Sequence, residues 1–292
     1  MSTEKKQDIQ KEESLLAEHW YQLRKNKTAM TGLVIIGLFI LIGIFAPLLS
    51  PMDPLEQSIE LRKSPPFTGN YILGTDDLGR DMLSRLIYGA RISMIIGVIS
   101  VGISLVFGSA IGLISAYYGG WLDKLIMRLI DIMLAFPYIL LTIVIVAVLG
   151  PSLVNAMIAI GISQIPRYAR VVRASVLAEK EADYVLAEKA LGARDWELMF
   201  KSILPNCLAP ISVQATLGIG TAILDSAALS FLGLGAQPPT PEWGLMIASS
   251  KEFITSAWWI VTFPGIATLL SVLGFNLLGD GLRDILDPRM RD

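Results

Sequence analysis

Six long apolar runs constrain the fold of this chain more than any other feature of its sequence. They lie at about residues 29–49, 92–118, 132–149, 153–165, 203–224 and 258–278. All but the fourth have roughly the 20 residues that a helix needs to cross a hydrocarbon layer of about 30 Å. Because 53% of the 292 residues are hydrophobic and only 17% are charged, the chain has more apolar material than one soluble domain needs to bury. The sequence therefore predicts an all-α integral membrane protein.

The number of transmembrane helices depends on the fourth run, which is short and contains glycine. Gly150-Pro151 separates it from the third run by a tight turn, so we interpret these two runs as a helical hairpin. Residues 1–27 are strongly polar, and the first run is too long for a signal peptide and has no obvious cleavage site after it. We therefore predict six transmembrane helices, and we expect the first to stay in the mature protein.

The distribution of Lys and Arg predicts that both termini are cytoplasmic. With this orientation, 18 of the 24 Lys and Arg residues lie in cytoplasmic segments, as the positive-inside rule requires. The predicted organisation is a cytoplasmic N-terminal segment (1–28), a first transmembrane helix (29–49), an external loop with an amphipathic helix (50–91), a five-helix core (92–280) and a cytoplasmic tail (281–292). The core contains a cytoplasmic loop at 166–205 and an external loop at 225–257.

A water-soluble segment between two apolar runs, residues 183–206, is the most distinctive part of the sequence. Its first apolar residues have the spacing of a short amphipathic helix, at Tyr184, Val185, Leu186, Ala190 and Leu191. Gly192 can adopt the positive φ that ends such a helix, and Asp195 can cap a second helix that ends at Pro205. The sequence thus predicts a helical hairpin with a glycine elbow, which either binds a cytosolic partner or rests with its apolar side on lipid.

Several classes of function lack their usual residues. The net charge of −2 provides no basic surface for nucleic acid. Cys207 and His19 are the only residues of their types, so we expect neither an internal disulfide nor a Cys/His metal cluster. Asp76, Asp77 and Asp81 do not have the spacing of a calcium loop. No Gly-x-x-x-x-Gly-Lys-Ser/Thr phosphate loop is present. We therefore predict no catalytic site, metal or cofactor.

Small residues recur at steps of four in the second run, at Ser104, Gly108, Gly112, Ala116 and Gly120. In lipid, such a stripe allows another helix to approach closely. We therefore expect this face to pack on a neighbouring helix or subunit.

Charged residues are rare in the apolar runs. Arg128 and Asp131 lie three residues apart at the start of the third run, where they can pair on one helix face. We expect no other Asp, Glu, Lys or Arg in the middle of a span, so the charge relay of a proton-driven or sodium-driven carrier is missing. The sequence indicates that the energy for any transport comes from another chain.

Three segments resemble the permease subunits of ATP-binding-cassette (ABC) importers. The hairpin resembles their EAA loop, and the matching residues are Ala187, Ala190, Leu191, Gly192 and Leu204-Pro205-Asn206. Leu186 and Glu188 stand where the usual pattern has Glu and Ala. A second segment resembles a signature of the C-type permeases of dipeptide and oligopeptide importers, at Gly74-Thr75-Asp76, Gly79-Arg80-Asp81, Ser84-Arg85, Gly89-Ala90-Arg91 and Ser93. Residues 229–244 resemble the same permeases, and the likeness extends from about residue 23 to 288.

This resemblance implies a type I importer fold in the cytoplasmic membrane. It implies that the chain forms a heterodimeric pore with a second homologous permease subunit, that two ATP-binding subunits drive it, and that an external solute-binding protein delivers a di- or oligopeptide. It also implies that the hairpin couples the pore to the ATPase, through Leu186, Ala187, Glu188, Ala190, Leu191, Gly192 and Arg194. No substrate-binding residue follows from it.

Two kinds of alternative remain open at this point. Permeases of the same family also carry nickel complexes and other small solutes. Outside the family, the chain could be a self-sufficient secondary carrier, or a membrane scaffold that uses the hairpin only for docking.

Overall fold

The computed structural model describes residues 21–286, which are mostly helical and form no β-strand. The elements are α1 (Lys27–Ile44), α2 (Ala46–Leu49), α3 (Met82–Tyr118), α4 (Gly120–Ala135), α5 (Tyr138–Leu149), α6 (Leu153–Glu179), α7 (Asp183–Ala190), α8 (Asp195–Glu197), a π-helical turn (Leu198–Ile203), α9 (Leu204–Asn206), α10 (Leu208–Phe231), α11 (Trp243–Ser250) and α12 (Trp259–Leu286), with 3-10 turns at Ile59–Leu61 and Lys251–Phe253. Most of the predicted N-terminal segment 1–28, including His19, and the end of the predicted tail 281–292 lie outside the described residues.

Four helices, α1, α3, α10 and α12, are long and apolar enough to cross a membrane. The pair α4 and α5, bent by 92°, raises the number to 5 if it forms one broken span. The prediction of an all-α membrane protein is thus confirmed, and the count of six remains a prediction. The sixth candidate, α6, is less apolar because it carries Arg167, Arg170 and Arg173.

Several helices extend beyond their apolar runs. Helix α3 has 37 residues and begins at Met82, so the predicted boundary between residues 91 and 92 falls inside one helix. No proline interrupts this stretch, and the backbone hydrogen bonds therefore continue. Asp81 caps α3, because its carboxylate accepts hydrogen bonds from the Ser84 N–H at 2.7 Å and the Ser84 hydroxyl at 2.6 Å.

The third apolar run, residues 132–149, does not form one straight helix. It crosses the bend between α4 and α5, where Phe136 is extended and Pro137 precedes the first residue of α5. Proline disfavours the helical conformation of the residue before it, which explains the break. The predicted turn at Gly150 is confirmed, with φ of +92°, and Ser152 caps α6 through the Asn155 N–H.

Two predicted loops begin as helices. Helix α6 continues through Pro166 to Glu179, so the first part of the predicted loop 166–205 is helical. Helix α10 continues to Phe231, so the predicted loop 225–257 starts inside it. The two loop boundaries were predicted at the points where polar residues begin. In the structure the helices continue past these points, because neighbouring helices accommodate the polar side chains.

The two ends of the bundle have different structures. At one end, the Trp259 indole at the start of α12 donates to the Thr75 carbonyl at 3.1 Å, and α3 also begins there. At the other end, Lys180 donates to the Ala116 carbonyl near the end of α3 at 2.9 Å, beside the hairpin. Because α3 and α12 start at the same end, the last turns of α12 lie at the hairpin end. Gly281 in these turns contacts Ala29 near the start of α1, so α1 begins at the hairpin end as well. The described chain therefore enters and leaves the bundle on the hairpin side.

The stripe of small residues on α3 packs against α6. The Ser104 hydroxyl donates to the Gly161 carbonyl at 2.8 Å, and Gly108 and Gly112 lie against the α6 backbone. The expected close approach is confirmed for these members, and the neighbouring helix belongs to the same chain. Gly120 is an exception, because it begins α4 with φ of +59° and has no such neighbour.

We expect Gly112→Ala to lower the free energy of unfolding by about 1–3 kcal/mol, the usual cost of overpacking. The added Cβ would lie 2.5 Å from the Ala169 carbonyl oxygen, so α3 and α6 must separate. The measurement is the thermal midpoint of the detergent-solubilised protein, followed by size-exclusion chromatography. Gly102→Ala is the matched control on the same helix, because nothing lies within 4 Å of its added Cβ. Equal midpoints for the two variants would contradict this packing.

The expected pair of Arg128 and Asp131 does not form. The Asp131 carboxylate instead accepts a hydrogen bond from Arg170 on α6 at 2.7 Å. Nearby, Arg173 binds the Asp123 carboxylate with two bonds of 2.7 and 2.6 Å. Helix α4 lies beside α6, so both of its carboxylates are reached by arginines of α6 and not by its own arginine.

Candidate functional site

The hairpin at residues 183–206 has the elbow that its sequence predicts. Gly192 has φ of +87° and follows the last residues of α7. Its N–H donates to the Lys189 carbonyl at 3.1 Å, and the Ala193 N–H donates to the Glu188 carbonyl at 3.1 Å. This is the Schellman arrangement, in which a left-handed glycine closes the helix end. The glycine elbow is therefore confirmed.

The second arm differs from the expected regular helix. It is assembled from α8, the π-helical turn and α9, and Pro205, which has no N–H to donate, lies within α9. Asp195 is the first residue of α8 and not its cap. Its carboxylate accepts a hydrogen bond from the Tyr117 hydroxyl at 2.7 Å, which ties the arm to the end of α3.

The inner side of the hairpin is anchored on the bundle. One apolar cluster contains residues of α3, α6 and α10 together with Val185, Leu198, Met199 and Ile203 of the hairpin and Cys207, which follows it. Burial of this apolar surface fixes the hairpin to the ends of these helices. Burial also raises the pKa of the Cys207 thiol to about 11, so this cysteine stays uncharged.

Hydrogen bonds join the two arms. The Ser202 hydroxyl donates to the Glu188 carboxylate at 2.5 Å, and the Asn206 amide donates to the Tyr184 hydroxyl at 2.8 Å. Tyr184 also donates to Glu179. Burial and this carboxylate raise the pKa of Tyr184 to about 12, so its hydroxyl remains a donor. The arms therefore keep one relative position.

Six of the seven residues proposed for coupling have exposed side chains or backbone, namely Leu186, Ala187, Ala190, Leu191, Gly192 and Arg194. Leu191 at the elbow is 88% exposed and Leu186 is 48% exposed. Glu188 is the exception, because it is half-buried and its carboxylate faces Ser202 within the hairpin. The hairpin thus presents an apolar outer surface that no other part of the described chain covers.

Two aromatic residues of the second arm extend this surface. Trp196 and Phe200 are 52% and 55% exposed, and the Lys201 ammonium lies 4.9 Å from the Trp196 ring centre. Neither residue was among those predicted for coupling, although exposed apolar side chains that adjoin one another are a signal of a contact surface. We use the name docking surface for Leu186, Ala187, Ala190, Leu191, Gly192, Arg194, Trp196 and Phe200.

The signature at residues 74–93 forms a buried network at the opposite end of the bundle. The Asp76 carboxylate accepts hydrogen bonds from the Arg80 Nε at 2.6 Å and from the N–H groups of Leu78 and Arg80 at 2.9 and 3.0 Å. The Arg85 Nε lies 3.4 Å from the same carboxylate. Arg85 also donates to the carbonyls of Pro54 at 3.1 Å and Pro239 at 3.4 Å. These residues hold the loops together.

The segment at residues 229–244 completes that network. Glu242 is buried, and its carboxylate accepts hydrogen bonds from the N–H groups of Gly244 and Leu245 at the start of α11. The Trp243 indole donates to the Leu86 carbonyl at 3.1 Å. The residues from Pro241 to Gly244 are therefore buried in protein, whereas Gln237, Pro238 and Pro239 are exposed.

One expectation about charge is wrong. Asp225 lies inside α10, where it is 4% exposed. Its carboxylate accepts hydrogen bonds from the Tyr138 hydroxyl at 2.8 Å and from the Gln164 amide at 3.4 Å. A membrane-spanning helix thus contains a buried carboxylate.

Comparison with known proteins places this architecture in a family. Residues 108–292 match the family model described as binding-protein-dependent transport system inner membrane component. The chain belongs to this permease family. Residues 14–66 also match the model of the N-terminal transmembrane domain of oligopeptide transport permease C. The permease is accordingly a multi-pass protein of the inner membrane, without a catalytic site for ATP hydrolysis.

Curated relatives are similar over nearly the whole permease. A dipeptide transport system permease of Alkalihalophilus pseudofirmus is 55% identical over 94% of this chain and 90% of the relative. A di/tripeptide transport system permease of Pseudomonas aeruginosa is 51% identical over 96% and 94%. A dipeptide transport system permease of Haemophilus influenzae is 53% identical over 94% and 95%.

The fold is also similar to that of a solved transporter. An inward-facing structure of the MetNI methionine ABC transporter has a TM-score of 0.59 at 19% identity and covers 70% of this chain and 98% of that chain. At this identity the likeness concerns the fold alone. The permease therefore has the helical arrangement of an ABC importer subunit.

Proposed function

We propose that this permease forms half of the membrane pore of an ATP-driven dipeptide importer. The observation that carries the proposal is its identity of 51–55% with three dipeptide or di/tripeptide permeases over 94–96% of its length. In this proposal the other half is a second, homologous permease. Two ATP-binding subunits drive the pore, and an external solute-binding protein delivers the dipeptide.

The topology that we propose has six transmembrane helices and cytoplasmic termini. The sixth crossing is α6, whose 27 residues are about 40 Å long at ~1.5 Å per residue. The predominance of Lys and Arg on the hairpin side supports a cytoplasmic hairpin. Because the described chain enters and leaves the bundle on this side, both termini are then cytoplasmic.

We propose that the docking surface fits into a groove of an ATP-binding subunit. Leu186 and Leu191 supply exposed apolar area, and the small residues between them allow close approach. The hairpin is anchored through Val185 and Leu198 to the ends of α3 and α6. Movement of the ATPase is therefore passed to membrane helices, which is how two states of one subunit bias two states of another.

The first test is mass spectrometry of the complex purified from native membranes through a tag on this chain. We expect a second permease and ATP-binding subunits in comparable amounts, and ATP-dependent uptake of dialanine by the reconstituted complex. The purified permease alone is expected to hydrolyse no ATP. ATP turnover by the isolated chain would overturn the proposed division of roles. Uptake of nickel or another solute in place of dialanine would assign the importer a different substrate.

A further inference from the structure

A cleft lies between α4, α5, α6 and α10, and none of its lining residues belongs to the docking surface. Its volume is about 450 Å³, and its walls include Leu134, Tyr138, Ser163, Gln164, Arg167 and Val171. Gln164 and Arg167 are the twelfth and fifteenth of the 27 residues of α6. The cleft therefore opens beside the middle of a helix that we place across the membrane.

Arg167 is the cation of this cleft that has no counter-ion. Within residues 21–286, no carboxylate lies within 4 Å of its guanidinium, whereas Arg170 and Arg173 are paired with Asp131 and Asp123. A charged side chain at membrane depth faces a water-filled cavity or a partner, and it commonly marks a substrate pathway. The planar guanidinium is suited to binding a carboxylate with two hydrogen bonds.

The same wall holds buried acceptors without donors. The Gln164 Oε1 and the Ser163 hydroxyl oxygen have no hydrogen-bond partner in the described part of the chain, and both side chains are at least nine-tenths buried. Leaving a buried acceptor unpaired costs about 1–3 kcal/mol. A ligand with N–H groups would remove this cost.

Asp225 determines how Gln164 is oriented. The Gln164 Nε2 donates to the Asp225 carboxylate, which the Tyr138 hydroxyl holds from the other side. Because the amide nitrogen of Gln164 is hydrogen-bonded to Asp225, its oxygen remains available as an acceptor. Asp225 is therefore a positioning residue, which acts on the cleft through the orientation of Gln164.

We infer that this cleft is a transient binding site for the main chain of the transported dipeptide, an inference that rests on the proposed function. Arg167 binds the C-terminal carboxylate, and Gln164 and Ser163 accept hydrogen bonds from the ammonium or amide N–H groups. Leu134 and Val171 provide an apolar wall for side chains. Every dipeptide has these main-chain groups, so such a site accepts many sequences.

The charge of the cleft can be tested without any uptake. Thr221 lines the cleft, and the only cysteine, Cys207, is buried. In the purified complex with Thr221→Cys and Cys207→Ser, we expect an anionic methanethiosulfonate to react at least threefold faster than a cationic one. Arg167→Gln should remove this preference, and millimolar dialanine should slow the reaction. Absent labelling, or equal rates for the two reagents, would overturn the inference.

Uptake of dialanine by the reconstituted complex supplies the second test. We expect Arg167→Gln to reduce it at least tenfold and Arg167→Lys to restore a third or more. Arg128→Gln, which removes the same charge from α4 outside the cleft, should stay within twofold of the unmodified complex. Uptake within twofold for Arg167→Gln, or loss of the second permease from that variant, would overturn the inference. If the Thr221→Cys, Cys207→Ser complex that retains Arg167 shows charge-selective labelling and the unmodified complex takes up no dialanine, the proposed function fails and anion binding stands.

Discussion

Gly192→Val is expected to lower dipeptide uptake about tenfold or more, with normal amounts of permease in the membrane. Gly192 has φ of +87°, which a β-branched residue adopts only at a cost of about 1–3 kcal/mol. A cost of that size changes a coupled equilibrium about 5- to 150-fold. An added Cβ meets no atom within 4 Å, so the substitution acts on the backbone and not on packing. The measurement is uptake of radiolabelled dialanine per permease in the membrane.

The matched control at this position is Gly192→Asn. Asparagine tolerates the left-handed conformation far better than valine, so uptake should remain within about threefold of the unmodified importer. If the valine variant transports normally, the geometry of the hairpin does not couple the permease to the ATP-binding subunit. If both variants are equally inactive, the loss comes from the side chain at the docking surface and not from the elbow.

Asp76→Ala is expected to lower the free energy of unfolding by about 3–5 kcal/mol, the cost of leaving buried cations without their partner. Arg80 and Arg85 are 6% and 3% exposed, and both lie close to the Asp76 carboxylate. The substitution also removes the acceptor for two backbone N–H groups. We expect the thermal midpoint in detergent to fall by about 5–8 °C.

Asp77→Ala is the control for the loss of a carboxylate. Its side chain is 24% exposed and lies 3.7 Å from the Arg80 guanidinium, so the expected loss is about 0–1 kcal/mol. Asp76→Asn keeps an acceptor oxygen without the charge and should be intermediate. Equal midpoints for Asp76→Ala and Asp77→Ala would show that the network does not stabilise the fold.

The apolar runs predicted where membrane helices lie, because the thickness of the hydrocarbon layer sets the length of an apolar segment. They did not predict where the helices end. Arg167 and Asp225 were placed in loops because they are polar, although Asp225 is held inside α10 by Tyr138 and Gln164. Those partners come from distant parts of the chain, and no local pattern identifies them.

The sequence predicted the elbow of the hairpin correctly, but it did not predict the structure of the second arm. The elbow depends on one residue, Gly192, whose conformational freedom can be recognised without tertiary information. The second arm depends on how Leu198 and Ile203 reach the ends of α3 and α6, and its π-helical turn follows from that packing. The pairing of Asp131 with Arg170 likewise requires knowledge that α4 and α6 are neighbours.

The uninterrupted α3 has a mechanical consequence. Its 37 residues make a rod about 55 Å long at ~1.5 Å per residue. One tip contacts the hairpin through Tyr117, and the other carries the Arg85 network. Between them, Gly108 and Gly112 lie against the α6 backbone, and Gly97 lies against Ile219 of α10. One continuous helix therefore joins the two ends of the bundle, so a displacement of the hairpin along the α3 axis would reach the far end although no residue there lies near the docking surface.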